Sequence, residues 1–319
     1  MPRVSVIIPA YNAADTIGQA LESAFAQSFK DYEVVLVDDG STDAIDAAIA
    51  PYRDRIKLIR QRNRGISGAK NAGVAAASGD YLAFLDADDI WMPERLARTV
   101  AVLEADPRCV LVSGGATTID KDGTPSVEYS IERAAIVTPG LAEIVSGRTQ
   151  IKASSILIRR AIFARAGGFD EAAFGRVRGG EDVYLYSLAS EHGTIRIVPE
   201  ALMKYRAELT RNRMWKYERG RRIVIRKWRK RYGRKINLAL SIQIRTWVRA
   251  WNQIGIEATE RGNLKTARAA FRAALRLETW NWRVRARMMR TYLPPRMVAR
   301  MADRRAARKR HARAARVKT

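Results

Sequence analysis

A doubly wound α/β domain, with a mixed but mostly parallel sheet flanked by helices, is the fold class this sequence predicts, and three observations predict it. Short aliphatic runs of strand length recur through residues 4–85. Ala-rich segments with apolar residues at helical spacing separate them. Those segments leave room for helices of about 10 to 15 residues, the pattern of repeated strand–helix–strand units.

Each element follows from its residues. The runs 4–8, 33–37, 56–59 and 81–85 carry β-branched and aliphatic side chains and are expected as strands. Residues 13–27, 42–50 and 67–77 are expected as the helices between them. Strands joined this way run parallel and are covered on both faces, so ligand chemistry is sought just beyond their carboxyl ends. A second block follows, with strands at 110–112 and 154–158, a turn at Asp120-Lys121-Asp122-Gly123 and a helix at 181–191. After about residue 215 the chain becomes helical, basic and studded with Trp. Residues 251–277 read as a helical hairpin turning at Gly262-Asn263, similar to one tetratricopeptide-type repeat; a single unit cannot bury its own face and must dock on something. Residues 303–319, rich in Arg and Ala, are expected to be disordered or helical only when bound. The expected divisions are a first domain at 1–215, a basic helical extension at 216–302 and a tail at 303–319.

Composition narrows the chemistry. Cys109 is the only cysteine, so no internal disulfide forms, and its apolar neighbours make it a buried structural thiol. His192 and His311 are the only histidines, which excludes a zinc site of the usual His or Cys type and a Ser-His-Asp triad. A metal here must sit on oxygen ligands, which points to Mg²⁺ or Mn²⁺. The formal charge of +25 is uneven: residues 1–200 hold 22 Lys+Arg against 27 Asp+Glu, and residues 201–319 hold 36 against 6. Met1-Pro2-Arg3 leads directly into a strand-length run, so no targeting leader is expected, and no apolar stretch reaches spanning length. A cytoplasmic protein, peripheral on the inner face of the cell membrane, is the expectation.

The polar residues at the strand ends are the candidates for chemistry. The first strand runs into Pro9-Ala10-Tyr11-Asn12 and the second into Asp38-Asp39-Gly40-Ser41-Thr42-Asp43. A carboxylate there can accept the ring N–H of a nucleobase while Tyr11 offers a stacking face. A plain turn and helix cap through Ser41 or Thr42 is the alternative. The fourth strand ends in Asp86-Ala87-Asp88-Asp89, three carboxylates that repel unless a cation or ordered donors neutralise them. On this reading Asp39 holds the base, Asp86 the ribose and Asp88 a metal bridging two phosphates. Between these strands Gly65 permits a tight turn and Lys70 can reach nucleotide oxygens, or else Lys70 is a solvated helix residue. Gly179-Gly180 precede the acidic pair Glu181-Asp182 at a helix start, where the macrodipole alone also favours acids. Trp91 either stacks on a sugar or packs in the core.

These segments, with Gly65-x-x-x-Ala69-Lys70-Asn71-x-Gly73, Ser154-Ser155-Ile156-Leu157-Ile158-Arg159-Arg160, Gly167-Gly168-Phe169-Asp170, Gly180-Glu181-Asp182 and Tyr205-Arg206, resemble inverting family-2 glycosyltransferases of the Rossmann-like GT-A fold across residues 3–206. The resemblance implies nucleoside binding by Pro9, Tyr11, Asn12, Asp39, Lys70 and Asp86, metal binding by Asp88, and a catalytic base at Asp182 with Glu181. It implies a nucleotide-diphosphate sugar as donor, most often a UDP-sugar, and a glycan or lipid-linked acceptor in cell-surface polysaccharide or glycolipid synthesis. Two positions depart from the pattern: Lys70 stands where many relatives have Arg, and Glu208 where many have His. Arg206, Arg211 or Arg213 are then the candidates for neutralising the diphosphate.

Three partners suit the basic C-terminal region: an anionic membrane surface, an acidic glycan, and nucleic acid stacked on Trp228, Tyr232, Trp247 and Trp251. Nucleic acid is the least expected of these, and a solvated helical face is the plain alternative. An inactive adaptor with a glycosyltransferase-like body, binding membrane or nucleic acid through the tail, is the rival function. A nucleotidyltransferase is disfavoured because residues 9–15 lack a Gly-rich, basic phosphate cradle.

Overall fold

The structure is a computed structural model that describes residues 1–120, 122–131, 137–149, 151–177, 179–206 and 212–293. Arg211, Glu208 and the tail at 303–319 lie outside the described residues.

The first half alternates as the sequence predicts: β1 (Val4–Ala10), α1 (Ala14–Phe25), β2 (Tyr32–Asp38), α2 (Ile45–Ile49), β3 (Lys57–Arg60), α3 (Gly65–Ala76) and β4 (Tyr81–Phe84). The short β5 (Ile90–Trp91) and α4 (Arg95–Ala105) follow, then the long β6 (Cys109–Ile119) and β7 (Pro125–Ile131). After them come α5 (Leu141–Ser146), β8 (Ile156–Arg159), α6 (Arg160–Arg165), α7 (Glu171–Phe174), α8 (Glu181–Ala189) and β9 (Thr194–Arg206). The remainder is α9 (Asn212–Tyr232), α10 (Asn237–Glu260), α11 (Leu264–Leu277) and α12 (Trp282–Arg290).

Among the described residues the nine strands form one mixed sheet in the order β3-β2-β1-β4-β8-β6-β9-β5, with β7 paired to β6. The first four strands are parallel, with Val6 opposite both Val34 and Ala83. β8 then runs antiparallel to both β4 and β6, while β6 and β9 are parallel. Alternation along the strands divides the core between the two faces. Val4, Val6 and Ile8 pack with Ile17, Leu21 and Leu36 on one side. Ile7, Leu82 and Phe84 pack with Ile158, Phe163, Phe169 and Tyr186 on the other. Each such fully buried aliphatic or aromatic side chain contributes roughly 1.5 to 3 kcal/mol.

Two helix starts differ from the expectation for a local reason. Ser41 donates its amide to Asp38 and Thr42 donates its amide to Asn12, at 2.9 and 2.8 Å, which ties residues 41–42 into a turn and delays α2 to Ile45. α3 begins two residues early, at Gly65, where the Asp39 carboxylate accepts the Arg64 and Gly65 amides at 2.8 and 2.9 Å. Gly65 itself takes φ +81°, and an added Cβ would lie 2.3 Å from the Gly175 carbonyl oxygen. Cys109 is fully buried in β6, as its neighbours implied.

The chain divides into two compact units, Met1–Leu240 and Ser241–Thr319. In the first, α9 docks on α8: the Trp228 indole N–H donates to Ser187 Oγ at 2.9 Å, and Arg231 pairs with Glu191 at 2.7 Å. In the second, the α10–α11 hairpin turns at residues 261–263 and buries Trp251, Ala258, Ala267, Ala270 and Phe271. Trp228 and Trp251 are both core residues, so neither offers an open stacking face.

Candidate functional site

Parallel strands deliver their carboxyl ends to one edge of the sheet, and the register places Ala10 beside Asp38 there. Beyond that edge two loops are stitched together: the Asn12 amide donates to Ser41 Oγ at 3.0 Å, and Ala14 donates to Asp43 at 2.8 Å. Asn12 takes φ +49° to make these contacts, a conformation that Asn tolerates better than most residues. Pro9 is buried within β1, while Tyr11 and Asn12 are exposed beside the edge.

Asp39 is buried and its carboxylate is largely committed. Oδ1 accepts from Gln61 Nε2 at 2.6 Å and from the Arg64 amide at 2.8 Å, and Oδ2 accepts from the Gly65 amide at 2.9 Å. It therefore caps the amino end of α3, satisfying two amides the helix leaves open. A carboxylate has about four acceptor positions, so one on Oδ2 remains for a ligand donor. Arg64 is held in turn by a two-pronged pair with Glu171 of α7.

α3 carries Lys70, and here sequence and structure differ in emphasis. The side chain is 1% exposed, with its ammonium 2.9 Å from Asp86 Oδ1 and over the Phe169 ring at 5.5 Å. Burial alone would lower its pKa, but the pull of Asp86, Glu181 and Asp182 outweighs burial and holds it above the ordinary lysine value. Lys70 is thus the internal counter-ion of three carboxylates. It can be buried because α3 turns Ala69, Ala72 and Gly73 to the sheet and so packs closely on it; a Cβ at Gly73 would meet Ile7 at 2.5 Å.

The acidic turn after β4 separates its three carboxylates. Asp86 faces Lys70, and its amide donates to Ser154 Oγ at 3.0 Å. Asp89 is buried and accepts the Arg206 amide at 2.8 Å; desolvation first, then Asp88 and Asp86, push its carboxyl well above the ordinary range. Asp88 is exposed, and its carboxyl is pushed up to about 6, first by partial desolvation and then by Asp86. Two of the three acids are therefore served by protein donors, and Asp88 is the one that faces solvent.

Opposite this turn, Glu181 and Asp182 open α8. Gly180 at φ +98° lets the chain enter the helix with Gly220 of α9 close by, where a Cβ would meet the Gly220 carbonyl oxygen at 3.1 Å. Glu181 is buried and its carboxyl is pushed up to about 8 by desolvation and by Asp182, against the pull of Lys70. Asp182 is half-buried, accepts the Val183 amide at 2.7 Å, and is raised mainly by desolvation. Among the described residues, Glu181 Oε2 and the Tyr186 hydroxyl are buried with no hydrogen-bond partner. Tyr186 lies one turn after Asp182, on the same helix face. Its hydroxyl is raised well above the ordinary value by burial, then by Asp182, Asp86 and Glu181.

Arg206 stands beneath the acidic turn. Its guanidinium donates to the Asp88 and Asp120 carbonyls at 2.9 and 3.0 Å and to Gln19 at 2.9 Å, so it fixes the loop's shape. Arg213 falls in the first turn of α9. Trp91 is a core residue, with its indole N–H on the Ser154 carbonyl at 2.7 Å and Arg95 stacked at 4.0 Å. Tyr186 and the anchoring of Asp89 by Arg206 went unread in the sequence; the only signal for Tyr186 was its place four residues after Asp182.

Donor chemistry bears on a metal. Among the described residues no three His, Cys, Asp or Glu side chains converge on one point. A single open carboxylate, Asp88, suits Mg²⁺ or Mn²⁺, which take one or two protein carboxylates and complete their shell with water and substrate phosphates. It suits Ca²⁺ or Zn²⁺ poorly, because these need more protein ligands.

Comparison with known proteins places this chain in a lineage. Residues 5–160 match the model of the family described as glycosyl transferase family 2. The putative glycosyltransferase EpsE of Bacillus subtilis is 33% identical over 199 residues, covering 60% of this chain and 68% of EpsE. The succinoglycan biosynthesis protein ExoO of Rhizobium meliloti is 49% identical over 107 residues, covering 33% of this chain and 31% of ExoO. The chain spans only about a third to a half of the length of several curated relatives, between 31% and 54%. Among solved structures, S. aureus TarS 1-349 in complex with UDP-GlcNAc superposes with a TM-score of 0.60 over 92% of this chain and 89% of that one, at 17% identity, a likeness of fold. With the family model on its first half and EpsE matched over two thirds of its length, this chain belongs to glycosyl transferase family 2.

Proposed function

We propose that the protein transfers a sugar from a nucleotide-diphosphate donor, a UDP-sugar first among them, to an acceptor hydroxyl with inversion, in the synthesis of a cell-surface polysaccharide or glycolipid. The observation that carries this reading is the arrangement about Lys70: one buried ammonium draws together the strand-tip acid Asp86 and the helix-tip acids Glu181 and Asp182. That arrangement sets a donor-side carboxylate group against an acceptor-side one, as a single displacement at the anomeric carbon requires. The printed descriptions of ExoO and EpsE support the polysaccharide setting, and the UDP-GlcNAc complex of TarS supports the donor class.

On the donor side, Asp39 has one acceptor position left for a base N–H, and Tyr11, 47% exposed just beyond the end of β1, would stack on the base. Asp86, its carboxylate paired with Lys70 and its backbone amide held by Ser154, would take the ribose. Asp88 would hold Mg²⁺ or Mn²⁺, which when bound supplies positive charge to the departing diphosphate. On the acceptor side, Asp182 takes the proton from the attacking hydroxyl. Its raised pKa makes it a stronger base than a solvated carboxylate, and such a base contributes about 10² to 10⁴ in rate. Glu181, its carboxyl pushed up to about 8 by burial and by Asp182 against the pull of Lys70, remains protonated near neutral pH, and Asp182 is the member of the pair left to act as base.

A thermal-shift screen of nucleotide-sugars with and without Mn²⁺, followed by a transfer assay on wild type and Asp182→Asn, tests the proposal. A donor that stabilises the fold only with metal, and transfer lost in the folded variant, is the expected result. No nucleotide-dependent shift with any donor, or transfer undiminished in Asp182→Asn, sinks it.

A further inference from the structure

We infer that the outward face of α12, with the turn before it, is a docking surface for an anionic lipid bilayer. Val284 is the buried residue of this helix, and the opposite side should therefore be polar. It is not. Trp282 and Met289, seven residues apart and so within about 20° of one another around the helix, are 70% and 62% exposed. Ala286 lies between them, and Trp280 in the preceding turn is 85% exposed. Arg285 flanks this apolar stripe on one side, Arg283 and Arg290 on the other, and all three are exposed.

An exposed face with an indole and a thioether at its centre and guanidinium groups at both margins matches a bilayer interface. The apolar stripe reaches the acyl boundary while the arginines meet lipid phosphates. The side chains are already disposed that way: the Arg283 guanidinium lies 5.6 Å from the Trp282 ring and that of Arg285 lies 5.4 Å from the Trp280 ring, each pairing a cation with an amphipathic ring of the kind that settles at headgroup depth. Residues 279–293 hold four Arg and no Asp or Glu, so the whole segment has one sign. The following residues, 294–319, add ten Lys or Arg against one Asp in sequence. Among the described residues no helix is long and apolar enough to cross a membrane, so the contact is with the bilayer surface. Nucleic acid fits this face less well: Met289 and Ala286 occupy its middle, and neither stacks on a base.

The test uses the full chain with vesicles of phosphatidylcholine alone or containing phosphatidylglycerol, read by co-sedimentation at low and high salt. The protein should partition onto the phosphatidylglycerol vesicles and leave them as salt rises. Arg283→Gln with Arg285→Gln should weaken partitioning about fivefold per arginine. Trp282→Ala with Met289→Ala should weaken it about tenfold or more, because apolar area is lost. Arg245→Gln with Arg249→Gln, the same charge change on exposed positions of α10, should stay within about twofold of wild type. All these side chains are exposed, and unchanged melting by circular dichroism confirms intact variants. The inference is overturned if the wild type ignores anionic vesicles, if the Trp282 and Met289 pair binds as well as wild type, or if both arginine pairs lose binding equally. Saturable binding of an RNA oligomer with the vesicles left unbound also overturns it. None of these outcomes touches sugar transfer to a soluble acceptor, so this surface and the catalytic reading stand or fall separately.

Discussion

The Lys70 ammonium lies 2.9 Å from Asp86 Oδ1, 1% exposed, in a helix whose amino end is capped by Asp39 of the neighbouring strand. The Lys70 side chain thus links the strand-tip acid Asp86 to the acids of α8, from a helix whose start Asp39 caps. Removing it leaves Asp86 and the α8 acids without their cation. Lys70→Met should destabilise the fold by about 3 kcal/mol, the lower end for breaking a buried pair because Asp86 keeps some contact with solvent. Urea unfolding of the two proteins measures this. A loss under about 1 kcal/mol contradicts the counter-ion role.

Glu181 gives stability a pH dependence of defined sign. Its carboxyl rises from 4.5 to about 8 on folding, so between those values the native state holds a proton that the unfolded chain has released. Stability from this group is therefore full below about pH 4.5 and declines as pH climbs toward 8. Glu181→Gln removes the titration and should flatten that decline. Denaturant midpoints of both proteins across this range check it, and parallel curves rule it out.

Much of this was legible in the sequence. The four parallel strands, the intervening helices and the carboxylates at the strand tips follow from local pattern, because a buried parallel strand needs a continuous aliphatic run and the polar residue ending it stands out. Lys70 was harder to read, since a lysine in an Ala-rich helix resembles a solvated one. What buries it is the stripe of Ala69, Ala72 and Gly73, which lets α3 approach Ile7 and Val37 of the sheet. β9 was not legible at all. Its thirteen residues include Pro199, Glu200 and Lys204, and only pairing along the length of β6 makes them a strand. That pairing brings Arg206 to Asp89, a contact across 117 positions that no local signal announces.

Backbone geometry at Gly180 sets the direction in which Asp182 enters the site. The residue holds φ +98°, and a Cβ there would meet the Gly220 carbonyl oxygen at 3.1 Å and Val224 at 3.3 Å. Gly180→Ala should cost about 1 to 3 kcal/mol, since a positive φ and a tight approach are both penalised. Because α8 must shift to relieve the contact, kcat should fall more than the KM for donor rises. Equal effects on both constants, or wild-type stability, would remove the link between this turn and the acid's placement.

Asp88 separates function from stability in the opposite direction to Lys70. Its carboxyl is pushed up to about 6 by partial desolvation and by Asp86, so in the metal-free fold its charge is opposed rather than welcomed. Asp88→Asn relieves that opposition, and the variant should melt at or slightly above the wild-type temperature. The same change removes the open carboxylate of the acidic turn, so the extra stabilisation that UDP gives in the presence of Mn²⁺ should vanish, and transfer should fall about 100-fold or more. Calorimetric titration of UDP with and without Mn²⁺ reads the first effect and sugar transfer the second. A variant that melts lower yet keeps its metal-dependent UDP binding would show that Asp88 supports the turn, and that the cation, if needed at all, is held elsewhere.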